Sequence, residues 1–369
     1  MPRYLRSLTP AVLAGLIVLA ASQAMATELG ERADAAAQAQ MDAQKLVGLG
    51  VGLIIDGEMA HLAGYGFADR EAGIEVDPRK TMFRWASISK PLTAVAAVQL
   101  WEAGVLDLDQ PIHDLVPEFP DQGQPITMRQ LLGHLGGIVH YSNGKVIKTK
   151  VKYEQENPYS DVIVALDKFK ASPLVNTPGE EFAYSTHGFI LASAVIQRAG
   201  KVAFHQQVHD GIAAPLGMKT LRPDYQWEEI PDRAVGYRKP KKESTDTDVS
   251  WKLAGGGFIS TVEDLLLFAK GLLDGKLVSA RGYDLMWTPQ VKSDGTPTTY
   301  GLGFGIGGEG LDYQIVHSGS QEKTRTLMVV FPRQNSAMVI MTNCEYADIQ
   351  ELAQALAPLL RQEENASTP

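Results

Sequence analysis

Strand-like segments stand at the two ends of this chain and helical patterns fill its middle, which ties both termini to one sheet. Val51-Gly-Leu-Ile-Ile and Ala60 to Phe67 flank Asp56-Gly57, a dipeptide whose tolerance of positive φ makes it a hairpin signal. Strand patterns return late, at Gln314 to His317, Thr326 to Phe331 and Ala337 to Thr342. Helical spacing runs over about Asp161 to Lys170, His187 to Ala199 and Val262 to Leu273, and a leucine- and alanine-rich helix spans Asp348 to Leu360. Leu106-Asp-Leu-Asp-Gln-Pro-Ile, Pro117-Glu-Phe-Pro and Ile126 to His134 read as turns and short helices. The pattern predicts an α+β fold: an antiparallel sheet built from the N- and C-terminal segments, flanked by helices, with a mostly helical lobe inserted at roughly 100–250. A site is expected in the cleft between the two lobes.

With 369 residues, 44% of them hydrophobic, the chain has enough apolar side chains for a large core. Its formal net charge of −9 argues against nucleic-acid binding, which wants a basic face. The local exception, Lys145, Lys148, Lys150 and Lys152, reads as a solvated loop rather than an anion-binding surface. Arg3 and Arg6, an apolar run from Ala11 to Ala21 and the small-residue site Ala24-Met-Ala26 read as a secretory signal over 1–26, cleaved after Ala26. The apolar run is short for a membrane span. A mature chain of 27–369, periplasmic or secreted and without a stable membrane span, is expected. Cys344, the single cysteine, cannot form an internal disulfide and reads as a buried strand residue.

Chemistry concentrates in Phe83-Arg-Trp-Ala-Ser-Ile-Ser-Lys-Pro-Leu-Thr-Ala-Val. Ser87 at a helix start and Lys90 one turn later share a helix face. A serine hydroxyl is a weak nucleophile until a base takes its proton, and an amine serves when burial lowers its pKa. Ser142-Asn-Gly-Lys145 and Ser320-Gln-Glu-Lys323 repeat the spacing. The first lies in a polar turn and the second just past a strand pattern. Only Ser87 opens an apolar helical pattern, with Leu92, Val95, Ala96 and Leu100 following.

Two further islands accompany it: Pro178-Gly-Glu-Glu-Phe-Ala-Tyr184-Ser-Thr186, and His317-Ser318-Gly319 with Ser320 following. Together with Gly64-Tyr-Gly-Phe-Ala-Asp69, Leu131-Leu-Gly-His134, Ala254-Gly-Gly-Gly-Phe-Ile-Ser-Thr261 and Tyr300-Gly-Leu-Gly, the ordered set resembles the serine β-lactamase and penicillin-binding protein superfamily. The likeness is to its class C-like branch, which includes D-alanyl-D-alanine carboxypeptidases, family VIII esterases and mitochondrial β-lactamase-like proteins. The resemblance implies that Ser87 becomes acylated, that Lys90 accepts or relays its proton, and that Tyr184 acts with Lys90 as general base and then as acid to the leaving group. It implies that Thr186, His317, Ser318, Gly319 and Ser320 line the substrate. It also implies that the N–H groups of Ser87 and Ser320 form an oxyanion hole, with no metal or cofactor.

Two positions depart from that pattern. Thr186 stands where the family has asparagine, losing an amide that both donates and accepts. His317 stands where it has lysine, and a histidine is largely neutral at pH 7. Both weaken an efficient β-lactamase. The leading expectation is an exported serine hydrolase acting on amides or esters, with peptidoglycan-type D-amino-acid peptides as substrates. A carboxylesterase, a weak β-lactamase, or a silent peptidoglycan-binding or scaffold member are the alternatives.

Other patterns carry less. Ser89 reads equally as a pocket residue or a first-turn hydrogen-bonding residue, and His134 as a structural loop element. His205 and His209, at i and i+4, lack a third ligand and read as an exposed helix face. Gly303 to Gly308 spells a glycine-rich phosphate loop but leads into a turn and a strand rather than a helix. The absence of Gly-x-Ser-x-Gly removes the nucleophile elbow of an α/β-hydrolase.

Overall fold

The computed structural model describes the backbone of residues 10–360 and the side chains of residues 27–360. Arg3 and Arg6 of the expected secretory signal, and the side chains of its remainder, lie outside the described residues. Seven strands form the principal sheet: β1 (Gly48–Ile55), β2 (Glu58–Asp69), β3 (Ile74–Glu75), β4 (Gly305–Gly307), β5 (Gln314–Gln321), β6 (Thr324–Phe331) and β7 (Ser336–Thr342). Their order is β3-β2-β1-β7-β6-β5-β4, and every pairing is antiparallel. N- and C-terminal segments therefore meet at the β1–β7 seam, where Val51 faces Ile340. The β1–β2 hairpin turns at Asp56-Gly57, both with positive φ, as the dipeptide predicts.

Five helices matter for the site: α1 (Pro10–Gln44), α2 (Ser89–Glu102), α3 (Thr186–Gly200), α4 (Val262–Leu273) and α5 (Ile349–Leu360). α1 and α5 cover the outer face of the sheet, where Ala33, Ala37, Leu352 and Leu356 pack with Leu49, Val51 and Ile340. α4 packs on the inner face against β1 and β7. It comes so close that a Cβ on Gly50 would sit 2.3 Å from Val262 Cγ2. Among the residues whose side chains are described, no helix is long and apolar enough to cross a membrane.

α2 is buried on every side over Ser89–Val98, so the helix carrying Lys90 is a core element. A second, three-stranded sheet pairs Phe83–Arg84 with Phe258–Ser260, and the latter with Arg222–Pro223. It brings the chain entering Ser87 beside the chain leaving Ala254-Gly-Gly-Gly.

Three expectations need correction. Asp161 to Lys170 is not an α-helix: it holds a 3-10 turn, Val164–Lys168, and follows another, Pro158–Ser160. Its bonds close three residues apart, Leu166 N–H to Ile163 O and Phe169 N–H to Leu166 O, and the Asp167 carbonyl accepts from Thr149 N–H. Ser320 is inside β5, not beyond it, because the strand stays paired through Gln321 and Thr324. Cys344 is buried as expected but lies past the end of β7, where its sulfur accepts from Val47 N–H. Lys145, Lys148, Lys150 and Lys152 are all exposed.

Candidate active site

Ser87 sits in a 3-10 turn, Ala86–Ile88, immediately before α2. Ala86 holds φ at +48°, a left-handed conformation that costs an L-residue about 1–2 kcal/mol. Neighbouring contacts hold the turn against that cost. Trp85 N–H donates to Phe258 O, while Thr326 Oγ1 donates to Trp85 O and Thr324 Oγ1 to Arg84 O. Arg84 is itself buried in an ion pair with Asp224 at 2.6 Å. The nucleophile candidate is thus carried between two sheets.

β5 must pass directly over this turn, and Gly319 is where it does so. A Cβ there would lie 2.1 Å from Thr326 Oγ1 and 2.6 Å from Trp85 O, inside any van der Waals contact.

Lys90 is wholly buried. Its Nζ lies 3.1 Å from Ser87 Oγ, 3.2 Å from Thr186 Oγ1 and 2.7 Å from the carbonyl oxygen of Gly255. Burial, reinforced by the positive charge of Lys252, holds its pKa well below that of an ordinary lysine. The Tyr184 and Phe189 rings lie 4.9 and 5.6 Å from Nζ. Burial pushes the Tyr184 phenol up to about 12, a rise opposed by its hydrogen bond with Ser87. Tyr184 therefore keeps its proton at neutral pH.

Thr186 opens α3, whose N-cap Ser185 accepts from Gly188 N–H and donates to Val139 O. Its place at the helix start puts its hydroxyl against Lys90.

His317 points inward from β5 and is buried. Nδ1 lies 2.7 Å from Ser318 O, which can only accept, so the proton sits on Nδ1 and Nε2 accepts from Tyr300 O–H at 2.9 Å. Burial, then Lys90, lower its pKa to about 3 despite the Ser318 carbonyl. The side chains of Ser318 and Ser320 are exposed, on the face opposite His317 because strand side chains alternate. These two serines meet the site with backbone and not with hydroxyls. β4 pairs with β5 only over Gln314–Val316, which leaves the edge from His317 onward without a strand partner among the described residues.

Ser87, Lys90, Tyr184, Thr186, His317 and Gly319 thus converge. Ser89 does not join them: its hydroxyl accepts from Phe258 N–H. His134 carries a structural role, with φ at +58° and Nδ1 accepting from Ser185 N–H. Its ring packs 4.3 Å from that of Tyr184 and 4.8 Å from that of Tyr300. Sequence reasoning passed over Tyr300 as a binding partner of His317, Gly255 as the acceptor for Lys90, and His140, whose Nδ1 accepts from Thr186 N–H. The Tyr300-Gly-Leu-Gly and Ala254-Gly-Gly-Gly motifs were the available signal for the first two. Among the described residues no group of acidic, histidine or cysteine side chains is placed to hold a metal ion, His205 and His209 included.

A cavity of about 540 Å3 opens at Tyr184, Tyr300 and His317. Its size lies in the range of small-molecule sites.

The chain is similar to several known proteins. It is 34% identical over 294 residues to the human mitochondrial serine beta-lactamase-like protein LACTB, covering 62% of this chain and 53% of that protein. The chain thus spans about half the length of that curated relative. Among solved structures it is similar to the octameric penicillin-binding protein homologue from Pyrococcus abyssi, with 25% identity, a TM-score of 0.75 and coverage of 89% of this chain and 77% of the other. It also shares the fold of a penicillin-binding protein from Bacillus halodurans, with 22% identity, a TM-score of 0.72 and coverage of 87% and 99%. The Beta-lactamase family model matches residues 33–360, and the chain belongs to this family of serine hydrolases.

Proposed function

We propose that the protein hydrolyses an amide or ester through an acyl-enzyme on Ser87. The observation that carries this reading is the 3.1 Å approach of Ser87 Oγ to an amine that burial makes a base. Ser87 Oγ attacks the carbonyl carbon and its proton passes to Lys90. The N–H groups of Ser87 and Ser320 receive the charge on the carbonyl oxygen. Tyr184 gives its phenolic proton to the leaving atom and recovers one from Lys90. Water then attacks the acyl carbon, loses its proton to the same pair and releases Ser87. Proton transfers of this kind typically contribute about a hundredfold to ten-thousandfold.

D-amino-acid peptides of the peptidoglycan type are natural substrates for such a site in an exported protein. Export is supported by Arg3, Arg6 and the apolar run to Ala21. Among the residues whose side chains are described, those of α1 that pack on the sheet start at Leu29, on the mature side of a cleavage after Ala26. An N-terminus other than Thr27 on protein recovered from the periplasm or medium would contradict that cleavage.

A second reading, carboxylesterase, is favoured by the neutral His317, which offers no cation to a terminal carboxylate. Intact mass during incubation with a penicillin, with the drug followed in parallel, separates these readings. A lasting adduct absent from Ser87→Ala supports a peptidase-like acyl-enzyme. Intact drug without adduct supports the esterase, and hydrolysed drug without a lasting adduct identifies a working β-lactamase. Hydrolysis undiminished in Ser87→Ala refutes the mechanism.

A further inference from the structure

The cavity at Tyr184 and His317 does not end at those residues. It passes over the free edge of β5 and continues along the outer face of the sheet, between β5 and α5. Half-buried Val316 and Phe331, with buried Leu327 and Met338 beneath them, form an apolar floor, and Ala353 and Ala357 of α5 a low wall. From Ser318 to Gln314 this floor runs about 13 Å at the rise of a β-strand. The space exists because α5 presents alanines toward the groove and because β4 stops pairing at Val316.

Two features define an occupant. Among the described residues no lining side chain is charged at neutral pH: the polar members are glutamine, serine, tyrosine and the neutral His317. A carboxylate entering here would lose its water and meet no cation. Moreover, the groove begins at Tyr184, the proton donor to the leaving atom in the mechanism above. Given that role of Tyr184, an occupant of the groove is attached to the leaving side of the scissile bond.

We propose that this groove binds the leaving group and that the substrate is an ester of an extended, uncharged, apolar alcohol. The inference rests on the Ser87 acyl-enzyme reading. The bond from Ser87 Oγ to the carbonyl carbon forms, the ester C–O bond breaks, and the alcohol departs along the groove with the Tyr184 proton. The chain's own residues 361–369 fit less well, since Arg361, Glu363 and Glu364 would have to shed water there.

The test is kcat/KM for octyl acetate against ethyl acetate on the full chain, with Ser87→Ala as background. The octyl ester is expected to be favoured by at least about tenfold, since each buried methylene adds to transition-state binding. Ala357→Trp, which fills the groove, is expected to lower that ratio by at least about tenfold. Gln354→Trp fills it from an exposed helix position and makes no demand on the core. Ser87-dependent hydrolysis with a ratio near one, or a ratio that neither tryptophan changes, overturns the groove assignment and leaves the Ser87 chemistry standing. No hydrolysis of either ester also overturns it. Hydrolysis that survives in Ser87→Ala overturns the acyl-enzyme reading instead.

Discussion

Lys90 Nζ lies closer to the carbonyl oxygen of Gly255, at 2.7 Å, than to either hydroxyl it touches. A carbonyl only accepts, so it claims one N–H of the amine. In the neutral amine the second N–H serves Thr186 and the lone pair is left for the Ser87 proton. Gly255 thereby orients the base without adding charge to the site.

Lys90→Met is expected to lower kcat/KM by about a hundredfold to ten-thousandfold while leaving the protein folded. The two proteins should also differ in how stability depends on pH. In the unfolded chain Lys90 binds its proton up to about 10.5, whereas burial lowers its folded pKa. The unfolded state then binds more protons between those values, so this residue's cost is full below the folded pKa and disappears above the unfolded one. The stability advantage of Lys90→Met should shrink as pH rises toward 10.5, read by thermal unfolding across alkaline pH. An advantage that grows with pH would contradict a buried, destabilised ammonium.

Tyr184→Phe keeps the ring that packs on His134 and removes the proton donor. Alkyl esters and amides, whose leaving atoms need a proton, should lose about a hundredfold or more in kcat/KM, which reports acylation. Aryl esters, whose leaving groups depart as stable anions, should lose far less. Equal losses for both substrates would remove Tyr184 from the role of acid.

Gly319→Ala forces a methyl group into Thr326 Oγ1 and Trp85 O. β5 must lift from the Ala86–Ile88 turn, which separates the Ser320 N–H from the Ser87 N–H. Loss of an oxyanion donor is worth about a hundredfold to a thousandfold in kcat, and a fall in Tm of several degrees should accompany it, since overpacking costs about 1–3 kcal/mol. Unchanged kcat would show that the two N–H groups do not act together.

His317 has a folded pKa of about 3, and His140 and His187 of about 4, all lowered chiefly by burial. Each is neutral when folded and protonates near 6.5 when unfolded. The unfolded state therefore binds more protons below pH 6.5, and stability must fall as pH drops from about 6.5 toward 3–4. His317→Gln should flatten part of that slope in urea titrations between pH 7 and 4.5. An unchanged slope would show that His317 is not held neutral.

Features set by local chemistry are legible in the sequence. Asp56-Gly57 marks its own turn, and Val262 to Leu273 shows a helical face that the structure reproduces residue for residue. The Ser87–Lys90 spacing likewise places both groups on one side of a short segment. What escaped were relationships between distant segments. Asp161 to Lys170 carries helical spacing, but it closes mostly as three-residue turns and gives its Asp167 carbonyl to the distant Thr149 N–H. The strain at Ala86 depends on two sheets closing around it. The exclusion of charge from His317 depends on its burial and then on Lys90, which is far from it in sequence.

The most direct test of the central claim is intact mass after exposure to a serine-reactive fluorophosphonate, on wild type, Ser87→Ala and Lys90→Met. A single adduct is expected on wild type, none on Ser87→Ala and much slower labelling of Lys90→Met. Folded wild type that stays unlabelled, or a Ser87→Ala protein that still gains the adduct, would contradict that claim.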